Sequence, residues 1–213
     1  MNTYNKTFSR HNFFVGTKEA IEDTIKKLRK KDLVLKVYDS LDDYLSCEIK
    51  FSDDGRKAWI GQPHLISKLE KVFGDGVKNL KKYKTPGTPN LHMTRNADPA
   101  EALDKKSHKE FCSGVGMLLY LVKHSRPDIA NCVRELSKVL DGATPEAYKE
   151  MMRAIKFVLD TKDLGLKIIP SEGRNLPWVL VCFTDSDYAG DPDTRRSVSG
   201  YILFVKGVPV VWR

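Results

Sequence analysis

Three apolar stretches of helical period, punctuated by prolines, fill residues 108–160 and constrain everything on either side of them. The first, "HKEFCSGVGMLLYLVKH" (108–124), is apolar nearly throughout. The second, "SRPDIANCVRELSKVL" (125–140), restarts with Pro127 and Asp128 in its first turn and carries Ile129, Val133, Leu136 and Leu140 along one stripe. Thr144 and Pro145 open the third, "PEAYKEMMRAIKFVLD", whose apolar side includes Met151, Ile155, Val158 and Leu159 and which ends ahead of Gly165. Helices joined by connections this short lie antiparallel beside one another, so the pattern predicts a small helical bundle.

After the bundle the period changes from helix to strand. "PWVLVCFTDSD" (177–187), "SGYILFVKG" (199–207) and "VPVVW" (208–212) read as three strands, too few and too short to cover a core of their own. Before the bundle, Thr17 is placed to cap a helix bearing Ile21, Ile25 and Leu28 and ending near Lys31. "LVLKVYD" (33–39) and "YLSCEIKF" (44–51) read as strands, "SDDG" (52–55) as a turn and "RKAWIG" (56–61) as the returning strand of a hairpin. Pro63 suits the first turn of a helix carrying Leu65, Ile66, Leu69, Val72 and Phe73, expected to stop before "GDG" at 74–76. The stretch 84–100, with Pro86, Pro89 and Pro99, reads as a linker, because the residue before each proline is held out of the helical region.

With 213 residues, 41% of them apolar and 30% charged, the chain has the balance of a globular protein. No apolar run approaches the length of a membrane span, and the N-terminus lacks the apolar segment of a secretory signal, so a cytoplasmic protein without membrane contact is expected. The four cysteines fall at no metal-ligand spacing and read as buried reduced thiols. The formal charge of +8 is uneven, at +6 over residues 1–84, +2 over 85–170 and zero over 171–213. Two basic runs carry it: "KKLRKK", with Lys26, Lys27, Arg29, Lys30 and Lys31, and "KNLKKYK", with Lys81, Lys82 and Lys84 around Tyr83. Such runs suit a phosphate backbone, with Tyr83 available for stacking. The competing reading is a solvated helix face.

The zero-charge tail holds the sharpest local signal, "TDSDYAGDPDTRRSVSGYILF" (184–204), with Asp185, Asp187, Asp191 and Asp193 followed by Arg195 and Arg196. On a strand, Asp185 and Asp187 share a face at the point where an apolar strand runs out into a loop, a place that can supply a ligand to a hard Mg²⁺ ion. A calcium loop fails on spacing, since counting from Asp185 its fifth position is Ala189 and its twelfth Arg196. The remaining alternative is a set of acids that cap turns, with Gly190 and Pro192 shaping the bend.

The order of three segments resembles copia-type retrotransposon Pol polyproteins. The acidic segment is similar to the opening of their RNase H domain, D-A-D-W-A-G-D, then R-R-S-T-S-G-Y, then a strand ending in Trp, with Val198 where the family usually has Thr. "FCSGVGMLLYLVKHSRPDIANCVRELSKVL" resembles the Y-R-x-x-V-G-x-L-x-Y-L and T-R-P-D-I segment of the reverse transcriptase thumb. "DDYLSCEIKFSDDGRKAWIGQPHLISKLEKVF" is similar to the F-L-G-I-E-I hairpin and the helix after it. The resemblance implies an α+β chain: a reverse transcriptase palm end, hairpin and first thumb helix over residues 1–83, a Pro-rich linker over 84–107, a helical thumb over 108–170, and over 171–213 a truncated RNase H-like domain of three antiparallel strands.

By that resemblance Asp185 is the first RNase H carboxylate and a metal ligand, and Arg195 and Arg196 lie near the backbone of an RNA:DNA hybrid or primer-template. The family uses Mg²⁺ for two-metal phosphoryl chemistry, and its other RNase H ligands follow the segment ending at Trp212. The polymerase dyad falls in register on Arg10 and His11, neither of which can stand in for a carboxylate under Mg²⁺. Asp42 and Asp43, out of order for that dyad, read as an exposed turn. The expectation is a Pol fragment, missing polyprotein segments, that is inactive by itself and has residual nucleic-acid binding. The rival is a relic protein-interaction domain.

Overall fold

The computed structural model describes residues 16–31, 35–37, 43–94, 99–169, 179–191 and 194–213. The chain divides into two compact units, Met1–Leu45 and Ser46–Arg213. In the first unit, helix α1 spans Lys18–Arg29, with the Thr17 hydroxyl accepting from the Ala20 N–H as its N-cap. The apolar residues Ile21, Ile25 and Leu28 are only partly covered, and no residue of α1 is buried. Among the described residues of the predicted strand at 33–39, residues 35–37 are not extended into a ladder. Residues 10 and 11, and residue 42, lie outside the described set. Residue 43 belongs to a two-residue strand, β1 (Asp43–Tyr44), and not to a turn.

The expected strand over 44–51 is broken. Leu45 and Ser46 both take positive φ, 53° and 62°, so the chain turns there and β2 runs over Cys47–Phe51. A φ of that sign is sterically costly for residues other than Gly, Asn and Asp, which is why composition gave no turn signal. The next turn was legible: Gly55 sits at φ +65°, the Ser52 hydroxyl donates to Asp54 at 2.6 Å, and β3 (Ala58–Gly61) returns antiparallel with Ile49 opposite Ile60. A third strand, β4 (Leu166–Ile168), pairs antiparallel with β3 through Ala58 and Ile60. Three residues are too short for alternation to announce a strand, even between Gly165 and Pro170; the ladder recruits them.

Helix α2 (Pro63–Val77) continues through the Gly-Asp-Gly expected to stop it. Two glycines inside a helix cost about 1 kcal/mol each relative to alanine. Leu69, Phe73 and Val77 form one stripe at four-residue spacing, and all three are buried, so core packing outweighs the local penalty. Val72, by contrast, faces solvent.

Helices α3 (Lys105–His124), α4 (Ala130–Ser137) and α5 (Pro145–Asp160) complete a single helical layer with α2. Short 3₁₀ turns precede α3 at Pro99–Glu101 and α4 at Pro127–Ile129. Asp104 caps α3 and the Thr144 hydroxyl caps α5. The core is continuous from Ile66 of α2 to Val158 of α5 and includes Phe111, Leu118, Val133, Leu136 and Met151. Gly114 is the close-approach point: a Cβ there would lie 2.4 Å from Met151 Sδ and 3.2 Å from Phe73 Cζ. No described helix is long and apolar enough to cross a membrane.

Arg126 is buried at the junction of α3 and α4. Its Nε and Nη2 donate to the two Asp128 carboxylate oxygens at 2.8 Å, and its Nη1 and Nη2 reach the Thr161 carbonyl and hydroxyl at 3.2 and 2.9 Å. One guanidinium thereby holds the start of the α4 segment to the end of α5, and its bidentate pairing offsets the cost of removing the charge from water.

The tail folds as expected into three antiparallel strands in sequence order: β5 (Leu180–Ser186), β6 (Ser199–Val205) and β7 (Val208–Trp212). The Trp212 indole N–H donates to the Val122 carbonyl at 2.8 Å, one of the carbonyls left over at the end of α3. Lys138 after α4 meets Asp191 of the β5–β6 hairpin at 3.6 Å. Every residue of β5 is exposed, Leu180 at 66% and Phe183 at 61%. Taken together, the described residues form an α+β architecture of five helices and two small antiparallel sheets.

Candidate functional site

Asp185 stands on β5 opposite Gly200 of β6. It lines a groove of about 310 Å³, between the sheet and the start of α4, with Pro127, Ala130, Phe183, Tyr201 and Trp212. Its carboxylate has no hydrogen-bond or ion-pair partner among the described residues. The neighbouring acids are differently engaged. Asp187 turns back on the hairpin, where its Oδ1 accepts from the Val198 N–H at 2.5 Å while its own N–H donates to the Val198 carbonyl at 3.1 Å. Asp191 Oδ1 accepts from both the N–H and the hydroxyl of Thr194 at 2.8 Å, and its Oδ2 faces Lys138. Asp193 lies outside the described residues.

Asp187 and Asp191 therefore shape the turn, and Asp185 is the acid of this strand with both oxygens uncommitted. Among the described residues no three His, Cys, Asp or Glu side chains come together at a metal-holding distance. A two-ion centre needs several carboxylate oxygens around each Mg²⁺. The described donor set does not fit such a centre.

Arg195 and Arg196 are exposed on the far arm of the same hairpin. Arg195 takes φ 56° and donates its N–H to the Asp191 carbonyl at 2.9 Å, while the Arg196 carbonyl accepts from the Asp191 N–H at 3.2 Å. The Ser197 hydroxyl accepts from the Ala189 N–H at 3.0 Å. The backbone closes the loop, leaving both guanidinium groups at the surface. Tyr188, 95% exposed, projects from the same hairpin.

The two basic runs belong to different units and are described separately. In the first unit Lys26, Lys27 and Arg29 lie in the last turn of α1, followed by Lys30 at its C-cap and then Lys31, and all five are exposed. Lys27 pairs with Asp23 at 2.6 Å, which raises its pKa through the hydrogen bond and the charge of that carboxylate. Cations at a helix C-terminus also complement the helix dipole, so this run has a structural use in addition to any ligand. In the second unit Lys81, Lys82 and Lys84 are exposed in the segment after α2.

Tyr83 does not offer a free ring face for stacking. It is half-buried against the core, with the Arg153 guanidinium 4.6 Å from its ring centroid and Lys81 Nζ at 5.8 Å. The cysteines need a correction as well. All four are free thiols, but Cys47 alone is fully buried, Cys112 and Cys132 are half-buried, and Cys182 on β5 is exposed because the sheet face it occupies is uncovered. Sequence reasoning also passed over Arg153, whose place on the polar side of α5 gave no signal that it would reach the segment after α2.

The Pol polyprotein of tobacco transposon TNT 1-94, named retrovirus-related, is 26% identical over 99% of this chain and 16% of its own length. The corresponding polyprotein of transposon RE2 from Arabidopsis thaliana is 31% identical over 48% of this chain and 7% of its own length. The chain is thus similar to retrovirus-related Pol polyproteins of transposons. A further relative, the secreted RxLR effector protein 161 of Plasmopara viticola, is 33% identical over 48% of this chain and 70% of its own length. The chain spans about a sixth or less of the length of the polyproteins it matches. No family model and no solved structure matches it.

Proposed function

We propose that this chain is the part of a copia-type Pol protein that runs from the end of the reverse transcriptase palm, through the primer-side hairpin (β2–β3) and helical thumb (α2–α5), into the first strands of RNase H (β5–β7). In this reading it binds an RNA:DNA hybrid or primer-template along the phosphate backbone and carries out no catalysis alone. Mg²⁺, RNA-directed DNA synthesis and hybrid cleavage belong to the whole enzyme. The observation that carries the reading is Asp185: one uncommitted carboxylate at a strand end, on the hairpin that also bears exposed Arg195 and Arg196, with its neighbouring acids engaged in turn hydrogen bonds. Exposed lysines at 26, 27, 30 and 31, and at 81, 82 and 84, supply backbone contacts that read no sequence.

The test is a hybrid-binding titration at increasing salt with Mg²⁺ present. The expected result is affinity that falls steeply between low and moderate salt, with the RNA strand left intact. Salt-independent or absent binding removes the nucleic-acid role. Magnesium-dependent RNA degradation that disappears in Asp185→Asn overturns the inactivity. A second reading, a protein-interaction domain, is favoured by the open apolar face on which Leu180, Tyr201 and Val211 stand exposed. A stable stoichiometric protein partner combined with no hybrid binding decides for it.

A further inference from the structure

The segment after α2 contains "KTPGTPN" (84–90), in which Thr85 and Thr88 each precede a proline. Both threonines are exposed, and residues 84–90 form neither helix nor strand. Both hydroxyls are gripped by Arg153 of α5, whose Nη2 donates to Thr85 Oγ1 at 3.0 Å and Nη1 to Thr88 Oγ1 at 2.8 Å. Nη2 also reaches the Thr85 carbonyl at 3.5 Å. This half-buried guanidinium has no direct ion pair: among the described residues no carboxylate oxygen lies within 4.0 Å of it, Glu150 reaches it only through the Thr88 hydroxyl, and its Nε is buried without a hydrogen-bond partner. Lys84 adds a second cation beside Thr85, and Lys81 and Lys82 lie close by in the chain.

A partly desolvated cation bonded directly only to neutral oxygens gains when an anion replaces one of them. We propose that Thr85 is a phosphorylation site for a proline-directed serine/threonine kinase, and that the phosphate is held by Arg153 and Lys84, clamping this segment onto α5. In the transfer Thr85 Oγ bonds to the γ-phosphorus of ATP and the bond from that phosphorus to the bridging oxygen breaks. Its electron pair leaves on ADP, and the hydroxyl proton passes to the kinase's base. The phosphate then offers acceptor oxygens to guanidinium donors now spent on neutral hydroxyls, and charge-assisted bonds of this kind are the stronger.

The other Thr-Pro step shares Arg153 but is also bonded directly to a carboxylate. The Thr88 hydroxyl donates to Glu150 Oε1 at 2.7 Å and its N–H to Oε2 at 3.2 Å, so a phosphate there meets a carboxylate head on. The same chemistry three residues apart therefore stabilises at Thr85 and destabilises at Thr88.

The test treats the full chain with a purified proline-directed kinase and MgATP. It maps the phosphate by peptide mass and measures the thermal midpoint before and after, in wild type, Thr85→Val, Thr88→Val and Arg153→Gln. The expected result is phosphate on Thr85 in wild type and Thr88→Val and none there in Thr85→Val. The midpoint should rise by about 2–4 °C in wild type, with no such rise in Arg153→Gln. Three results overturn the proposal: no phosphate on Thr85 although the same kinase labels a synthetic peptide of residues 80–92, preferential labelling of Thr88, or a midpoint that fails to rise or rises equally in Arg153→Gln.

Discussion

Asp128 neutralises a guanidinium that has almost no access to water: the Arg126 side chain is 1% exposed, against 40% for Asp128. Asp128→Ala leaves that charge buried with only the Thr161 oxygens to bind it, and the expected cost is about 3 kcal/mol, read from urea unfolding. The cysteines provide a second residue-scale prediction. Burial, reinforced by the charge of Glu150, pushes the Cys132 thiol up to about 12 from an ordinary value of 9.0. Between those two pH values the unfolded chain releases this proton while the folded chain keeps it. The thiol's contribution to stability is therefore complete below pH 9 and declines as pH rises toward 12. At pH 8 an alkylating reagent should modify exposed Cys182 well before Cys132, as timed mass spectrometry would record. Neither thiol's setting was readable from spacing, because burial is conferred by neighbours distant in sequence.

At the scale of elements, the helices were the legible part. Thr17, Thr144 and the prolines at 63 and 145 mark helix starts by satisfying, or lacking, the N–H groups that a first turn leaves unpaired. Helix α2 passes its glycines because Val77 has a place in the core, and the turn at Leu45–Ser46 forms without turn residues; both outcomes were set by packing or pairing beyond the local window. Where α3 approaches α5, Gly114→Leu forces a side chain into space held by Met151 and Phe73. The expected destabilisation is about 1–3 kcal/mol, measured by thermal or chemical unfolding. Trp212→Phe keeps an aromatic ring and removes the indole donor to Val122, so it should cost about 1 kcal/mol by the same measurement.

Over the whole molecule, surface charge governs what the chain meets and the helical layer governs whether it folds. If exposed Lys81, Lys82 and Lys84 neutralise phosphates, replacing all three with glutamine should weaken hybrid binding uniformly across sequences. The slope of log affinity against log salt should fall by about 1 for each phosphate no longer paired with a lysine. The sequence by itself determined the class of elements, their order, and the similarity to transposon Pol polyproteins, since periodicity, caps and motif order are local properties. Tertiary structure alone decided which acids of the 185–191 cluster are spent on turn hydrogen bonds, and that Arg153 would cover Tyr83 and grip Thr85 and Thr88. The reason is physical: a side chain's availability depends on which partners reach it in space, and those partners come from segments up to 90 residues away.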